Sequence, residues 1–212
     1  GKRRWLCKHL SGHCAVGRQL KRRHWQKHSN CPRCNAEDEN TKHVLQCPDV
    51  RADNKWRTAL DALDVWMVNT HTNPHLMDAI LSRLYTWRAN LPHEAIAGPR
   101  KLQEVIAEQD SIGWENFLFG RITSSFADYQ QTHFLNIKKQ NQGKTWVAKL
   151  IRQLWLVMRK MWDHRNKINK ETVPQSQKDQ LKNLRRIECQ EFAAGTKGLL
   201  PEDRELLQDK EV

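Results

Sequence analysis

The chain has 212 residues and a mass of 25.0 kDa, enough for one or two domains with a buried core. Apolar residues make up 38% and charged residues 28%, a balance that excludes a compositionally disordered chain. A net charge of +12 points to a polyanionic partner, and no apolar run approaches the ~18–20 residues of a membrane span.

The positive excess is concentrated at one end. Residues 1–36 carry ten Lys and Arg and no acid, whereas the remaining 176 carry 26 against 24. Such asymmetry predicts a basic binding face built from Arg3, Arg4, Lys8, Arg18, Lys21, Arg22, Arg23, Lys27 and Arg33. A short basic helix is expected from Arg18 to about His28. On it, residues 18, 21, 22 and 25 would share one side, so that Trp25 could meet a base beside phosphate-binding cations.

Five of the six cysteines also lie in the first fifty residues. Without an apolar signal core, cysteines interspersed with histidines point to metal coordination more than to disulfides. The pattern Cys31-x2-Cys34-x8-His43-x3-Cys47 is the strongest chemical signal in the chain. A turn favoured by Pro32 lets the first pair bite one ion, and one helical face presents His43 and Cys47 together, with Thr41 as a candidate cap. Three thiolates and one imidazole complete a closed tetrahedral shell suited to structural Zn2+. Cys7, His9, His13 and Cys14, with His24 and His28 nearby, are candidates for a second site or for packing and positive charge.

The rest reads as almost entirely helical. Residues 50–69 place Trp56, Leu60, Leu63 and Met67 at helical spacing, and 74–90 do the same with Met77, Leu81, Leu84 and Arg88. Two prolines and a glycine make 91–99 a loop. A short amphipathic helix follows over 100–110, and Trp114, Phe117, Leu118 and Ile122 open the next. The strongest helix is 144–170, with Val147, Ile151, Leu154, Met158, Met161 and Ile168 in one stripe beside Trp155 and Trp162. Lys149, Arg152, Arg159, Lys160 and Arg165 are assigned to its polar side. The predicted organisation is all-α: a basic arm and CCHC unit (1–50), a helical bundle (51–172), then a peripheral helix and mobile tail (173–212).

Leu10-Ser11-Gly12-His13, Val16-Gly17-Arg18-Gln19-Leu20, Cys31-Pro32-Arg33-Cys34 and the run Glu39 to Pro48 together resemble the zinc-binding region downstream of reverse transcriptase in non-LTR retrotransposon proteins. The similarity spans about residues 5–50. Trp114, Gly120, Gln130 and Trp162-x2-Arg165-Asn166 look like the helical tails that follow this module in some elements. The resemblance implies that Cys31, Cys34, His43 and Cys47 hold zinc in a module that grips the element's RNA or its target DNA.

No Asp-Asp pair, P-loop, HExxH, GxSxG or dinucleotide fingerprint occurs, so the expectation is a non-catalytic chain whose enzyme domain would lie upstream. The leading expectation is therefore a zinc-stabilised nucleic-acid-binding module, intracellular and nuclear, with no membrane or small-molecule partner. The alternative is a zinc-stapled scaffold whose Trp-rich helices over 144–170 dock a protein partner.

Overall fold

Glycine and proline are scarce, and apolar residues recur at intervals of three and four, so nearly every long segment can form backbone hydrogen bonds within itself. A computed structural model describes residues 2–172 and 175–195; the side chains of residues 2, 3, 172, 175–180 and 194, Arg3 among them, lie outside the description. Among the described residues there are ten helices and no strand, the all-α class expected. They are α1 (Lys2–Leu10), α2 (Gly17–Arg22), α3 (Thr41–Gln46), α4 (Val50–Asn69), α5 (Pro74–Arg88), α6 (Arg100–Ile112), α7 (Trp114–Leu118), α8 (Ser124–Asn136), α9 (Gly143–Thr172) and α10 (Gln175–Ala194). Residues 1–169 form one compact unit and 170–212 a second; of the expected tail, residues 196–212 lie outside the described residues.

Helix starts follow familiar chemistry. Asn73 caps α5 by accepting from Leu76 N, with Pro74 at the first helical position. Asn40, not Thr41, caps α3: its side-chain oxygen accepts from His43 N at 2.8 Å. Helix ends are less obvious. α2 closes with Trp25 N donating to Leu20 O and His24 N to Lys21 O, and His24 takes the left-handed conformation (φ 57°). The same paired closure ends α4 at His71, α5 at Asn90 and α8 at Lys138. The basic helix expected to reach His28 therefore stops at Arg22, and Trp25 leaves the side shared by residues 18, 21 and 22.

The core of the first unit is lined by α4 to α9. Trp56, Leu60, Leu63 and Met67 are buried on α4 as the spacing predicts. On α5 the buried positions are Leu76, Ala79, Ile80, Arg83, Leu84 and Arg88, while Met77 and Leu81 are only partly covered. On α9 the buried stripe is Trp146, Leu150, Leu154, Val157, Met158, Met161, Trp162 and Ile168. Leu154, Met158, Met161 and Ile168 of the expected stripe are in it, whereas Val147, Ile151 and Trp155 flank it, so the expectation is offset only in the first turns of the helix. Trp146 stacks on Trp66 with centroids 6.4 Å apart, and its indole N–H donates to Thr72 Oγ1. The inward tryptophans of α9 thus fill the core rather than offer a docking face.

Polar links bind the helices where apolar contact alone would leave them free to slide. Gln130, fully buried on α8, accepts from Asn73 N and donates to His71 O, which pins the α4–α5 turn. Arg83 donates to both carboxylate oxygens of Asp110 on α6 and to Glu94 O in the 91–99 loop. Arg165, assigned to the polar side of α9, is instead 2% exposed. Its Nε and Nη2 donate to the two oxygens of Glu39 at 3.0 and 2.5 Å, and Glu39 is itself fully buried. Gly17 N donates to the same carboxylate at 2.7 Å.

Removing one member of such a buried pair strands the other's charge. Arg165→Met should lower unfolding stability by about 3–5 kcal/mol in urea titration, while Arg152→Met on the exposed side of the same helix should change it by less than about 0.5 kcal/mol. Equal effects at the two positions would remove the pair's special role.

Candidate metal centre

Cys31 and Cys34 leave opposite ends of a tight turn in which Asn35 N donates to Cys31 O and Cys31 N to Ala36 O. Asn35 completes the turn in the left-handed conformation (φ 60°), and its side chain accepts from the Asn30 amide. α3 supplies His43, and its C-cap residue is Cys47. The four donor atoms lie within 4.8 Å of one another, and no other group of three or more Cys, His, Asp or Glu converges in this way among the described residues. Cys31 Sγ is 3.8 Å from Cys47 Sγ, and Cys34 Sγ is 3.3 Å from His43 Nε2. A tetrahedral ion with metal–sulfur bonds of about 2.3 Å separates two thiolates by about 3.8 Å, so the donor set fits a four-coordinate metal. All three cysteines are free thiols.

The surroundings suit an anionic cluster. Backbone N–H groups of Arg33 and Cys34 are directed at the Cys31 sulfur, and that of Asp49 at the Cys47 sulfur. Without an ion, the hydrogen bond with Cys47 holds the Cys31 thiol well below its ordinary range, and the same contact, with burial, pushes Cys47 up. Two thiols at this distance share one proton, and a bound cation would displace it. Two buried arginines stand beside the cluster. Arg88 donates to Leu45 O and Cys47 O, and Arg33 Nη2 donates to Val44 O at 2.6 Å. Arg33 Nε and Nη1 are buried without a hydrogen-bond partner. Three thiolates around a divalent ion carry one net negative charge, which compensates a buried guanidinium that no carboxylate reaches.

The basic residues sort into two groups. Arg4, Lys8, Lys21, Arg22 and Lys27 are exposed, and Trp25 is 71% exposed with the Arg23 guanidinium 5.6 Å from its ring. Arg18 is also exposed but is held by both carboxylate oxygens of Asp38. Arg33 does not belong to the face: at 6% exposed, with its side chain turned to the α3 backbone, it cannot meet a phosphate. Arg3 lies outside the residues whose side chains are described.

The second cluster does not assemble. Cys14 Sγ is 4.0 Å from His9 Nδ1, but Cys7 and His13 are exposed and His13 Nδ1 contacts Ser11 O. Cys14 and His9 are packing groups: burial raises the Cys14 thiol to about 11 and lowers His9 to about 4. The His9 ring lies against Trp5 and Phe119. Sequence reasoning missed Glu39 and Arg165, whose types and neighbours look like those of solvated charges, and it put Arg88 in the stripe of 74–90 without a role beside the metal ligands. Comparison with protein-family models, curated proteins and solved structures finds no match to this chain.

Elemental analysis of the reduced, folded chain should find one tightly bound metal ion per chain. Cys34→Ser should lose that ion and destabilise the whole 1–169 unit, read as a fall in melting temperature of all helical signal. Acid sensitivity should come partly from His9. Its folded pKa lies below its unfolded value near 6.5, so the unfolded chain alone takes up the proton between pH 6.5 and 4. Its contribution is complete above pH 6.5 and declines toward pH 4, by at most about 1.4 kcal/mol per pH unit. Urea midpoints of His9→Met should fall less steeply than the wild type's over that window; parallel curves would exclude His9 as a source.

Proposed function

We propose that the chain is a zinc-stabilised module that binds nucleic acid without acting on it chemically, and that it is the C-terminal part of a retrotransposon reverse-transcriptase-like protein working in the nucleus. One observation carries the reading: exposed cations with no acid among residues 1–36 are displayed on short segments that buried links hold in place. α2 is tied at Gly17 N to Glu39, and a Cβ at Gly17 would lie 2.2 Å from Ser29 O, so the helix start sits directly on the segment leading to Cys31. Lys21 and Arg22 project from that helix, and Lys27 and Trp25 from the turn after it.

Zinc suits the donor set because three thiolates and an imidazole satisfy a borderline-soft ion in a closed shell. The ion's task would be structural: it replaces the apolar core that a short Cys-rich segment cannot build. Phosphate neutralisation then fixes the chain on its partner with little reading of sequence, while Trp25 offers a stacking surface. The similarity of residues 5–50 to the retrotransposon zinc region supplies the partner class, RNA or target DNA.

A protein-interaction role has one observation in its favour. α10 exposes Leu181, Leu184, Ile187 and Phe192, apolar groups that a partner would cover. The nucleic-acid reading is tested by charge reversal on the full chain. Lys21, Arg22 and Lys27 changed together to Glu should weaken binding at moderate salt by orders of magnitude and flatten the salt slope by roughly 3. The same change at Lys144, Lys149 and Arg152 on α9 should do much less. A larger loss from the α9 variant would move the binding face there, and no binding by the wild type at low salt would favour the scaffold role.

A further inference from the structure

Beside the metal ligands lies an open cleft of about 790 Å3 that the basic-face reading does not use. It is lined by residues of α3 and the chain after it, of α4 and α5, and of the turn at 89–91. The lining combines three kinds of group. Tyr85 (41% exposed), Leu91 (59% exposed) and Pro48 present apolar surface to solvent. Lys42, Arg57 and Arg88 are cationic against the single carboxylate of Asp53. That carboxylate is already engaged, 2.8 Å from Arg57 and 3.6 Å from Arg88. Asn90, exposed in the left-handed conformation, adds an amide that can both donate and accept.

A cleft with an exposed aromatic ring, adjoining cations and an amide has the components that hold an unpaired nucleotide: a stacking platform, a phosphate path and a group that can read a base edge. We infer that this cleft receives one unpaired nucleotide of a single-stranded segment, its base against Tyr85 and its phosphates along Lys42 and Arg57. The inference rests on the nucleic-acid reading above and deepens it, since a duplex cannot place a base in a cleft unless the base leaves its stack. Asp61 and Asp64 of α4 also act on Tyr85, so the phosphates are assigned to the lining cations Lys42 and Arg57 rather than farther along α4. In the chain, residues 37–42 run from the groove lined by Arg18, Lys21, Arg22, Glu37 and Asp38 to the cleft, so the two adjoin the same segment.

The test is fluorescence anisotropy of the full chain with three labelled probes of equal length: a 12-nucleotide oligothymidylate, an abasic strand and a duplex. The wild type should bind the oligothymidylate more tightly than the abasic strand. Tyr85→Ala should weaken oligothymidylate binding about tenfold, the size of one lost base stack, and leave abasic binding unchanged. Tyr85→Phe should stay within about twofold of the wild type. Lys42→Glu, an exposed change, should weaken both strands and lower the salt slope by about 1. If Tyr85→Ala and Lys42→Glu both bind like the wild type while charge reversal at Lys21, Arg22 and Lys27 abolishes binding, the basic face stands and the cleft assignment falls. If the wild type binds none of the probes at low salt, both fall together.

Discussion

The buried carboxylate of Glu39 is the point on which the placement of the N-terminal region turns. It accepts from Gly17 at the start of α2 and from Arg165 near the end of α9, a partner 126 residues away in sequence. Its backbone takes part as well: Glu39 N donates to Ser29 O, and Arg18 N donates to Glu39 O. One residue therefore joins the entry helix, the segment leading to the metal turn and the longest helix of the chain. A charge so fully removed from water persists only when each of its oxygens is satisfied, and here three donors do so. Around it a small apolar group (Cys14, Val16, Val44 and Trp162) closes the junction between α9 and the segments on either side of α2 and α3.

The metal cluster depends on that junction and reinforces it. Cys31 and Cys47 belong to the same apolar core as Trp56, Leu84 and Leu154, so the core continues across residue 50 without a break. Arg88 extends this continuity: from α5 it reaches the carbonyls of Leu45 and Cys47 while its guanidinium lies 5.3 Å from the Trp56 ring. Asp53 partly balances Arg88, but Arg33 bonds only a carbonyl, and such a buried arginine is costly in an apolar interior. An anionic metal–thiolate cluster at the centre of the group offsets that cost, and its ligands in turn gain a defined orientation.

Much of this was legible in the sequence. The helical class, the four metal donors and the α4 core residues all follow from spacing, because period and ligand geometry are local properties. What escaped depends on contacts between distant segments. Arg165 and Glu39 have the composition of surface charges, and only their mutual burial gives them a role. The first turns of the α9 stripe are offset from the expectation because Trp146 is buried while Val147 and Ile151 lie at its margin. α2 ended early because His24 takes a left-handed turn position more often filled by glycine, leaving no glycine to announce the stop. Arg33 sits inside the Cys-Pro-Arg-Cys turn and looked like one more basic contact. The turn points it inward.

Rigidity is what these links would give to the proposed binding. Exposed cations on a frayed arm lose conformational entropy whenever they grip a polyanion, whereas cations on segments tied to Glu39 and to the metal turn have lost it on folding. The ion and the Glu39–Arg165 pair should then behave as parts of one structure, residues 1–169. Hydrogen exchange before and after chelation measures this directly. Removing the ion should accelerate exchange both in residues 29–48 and in the later turns of α9 around 157–168. Acceleration confined to 29–48, with α9 protected as before, would contradict that coupling.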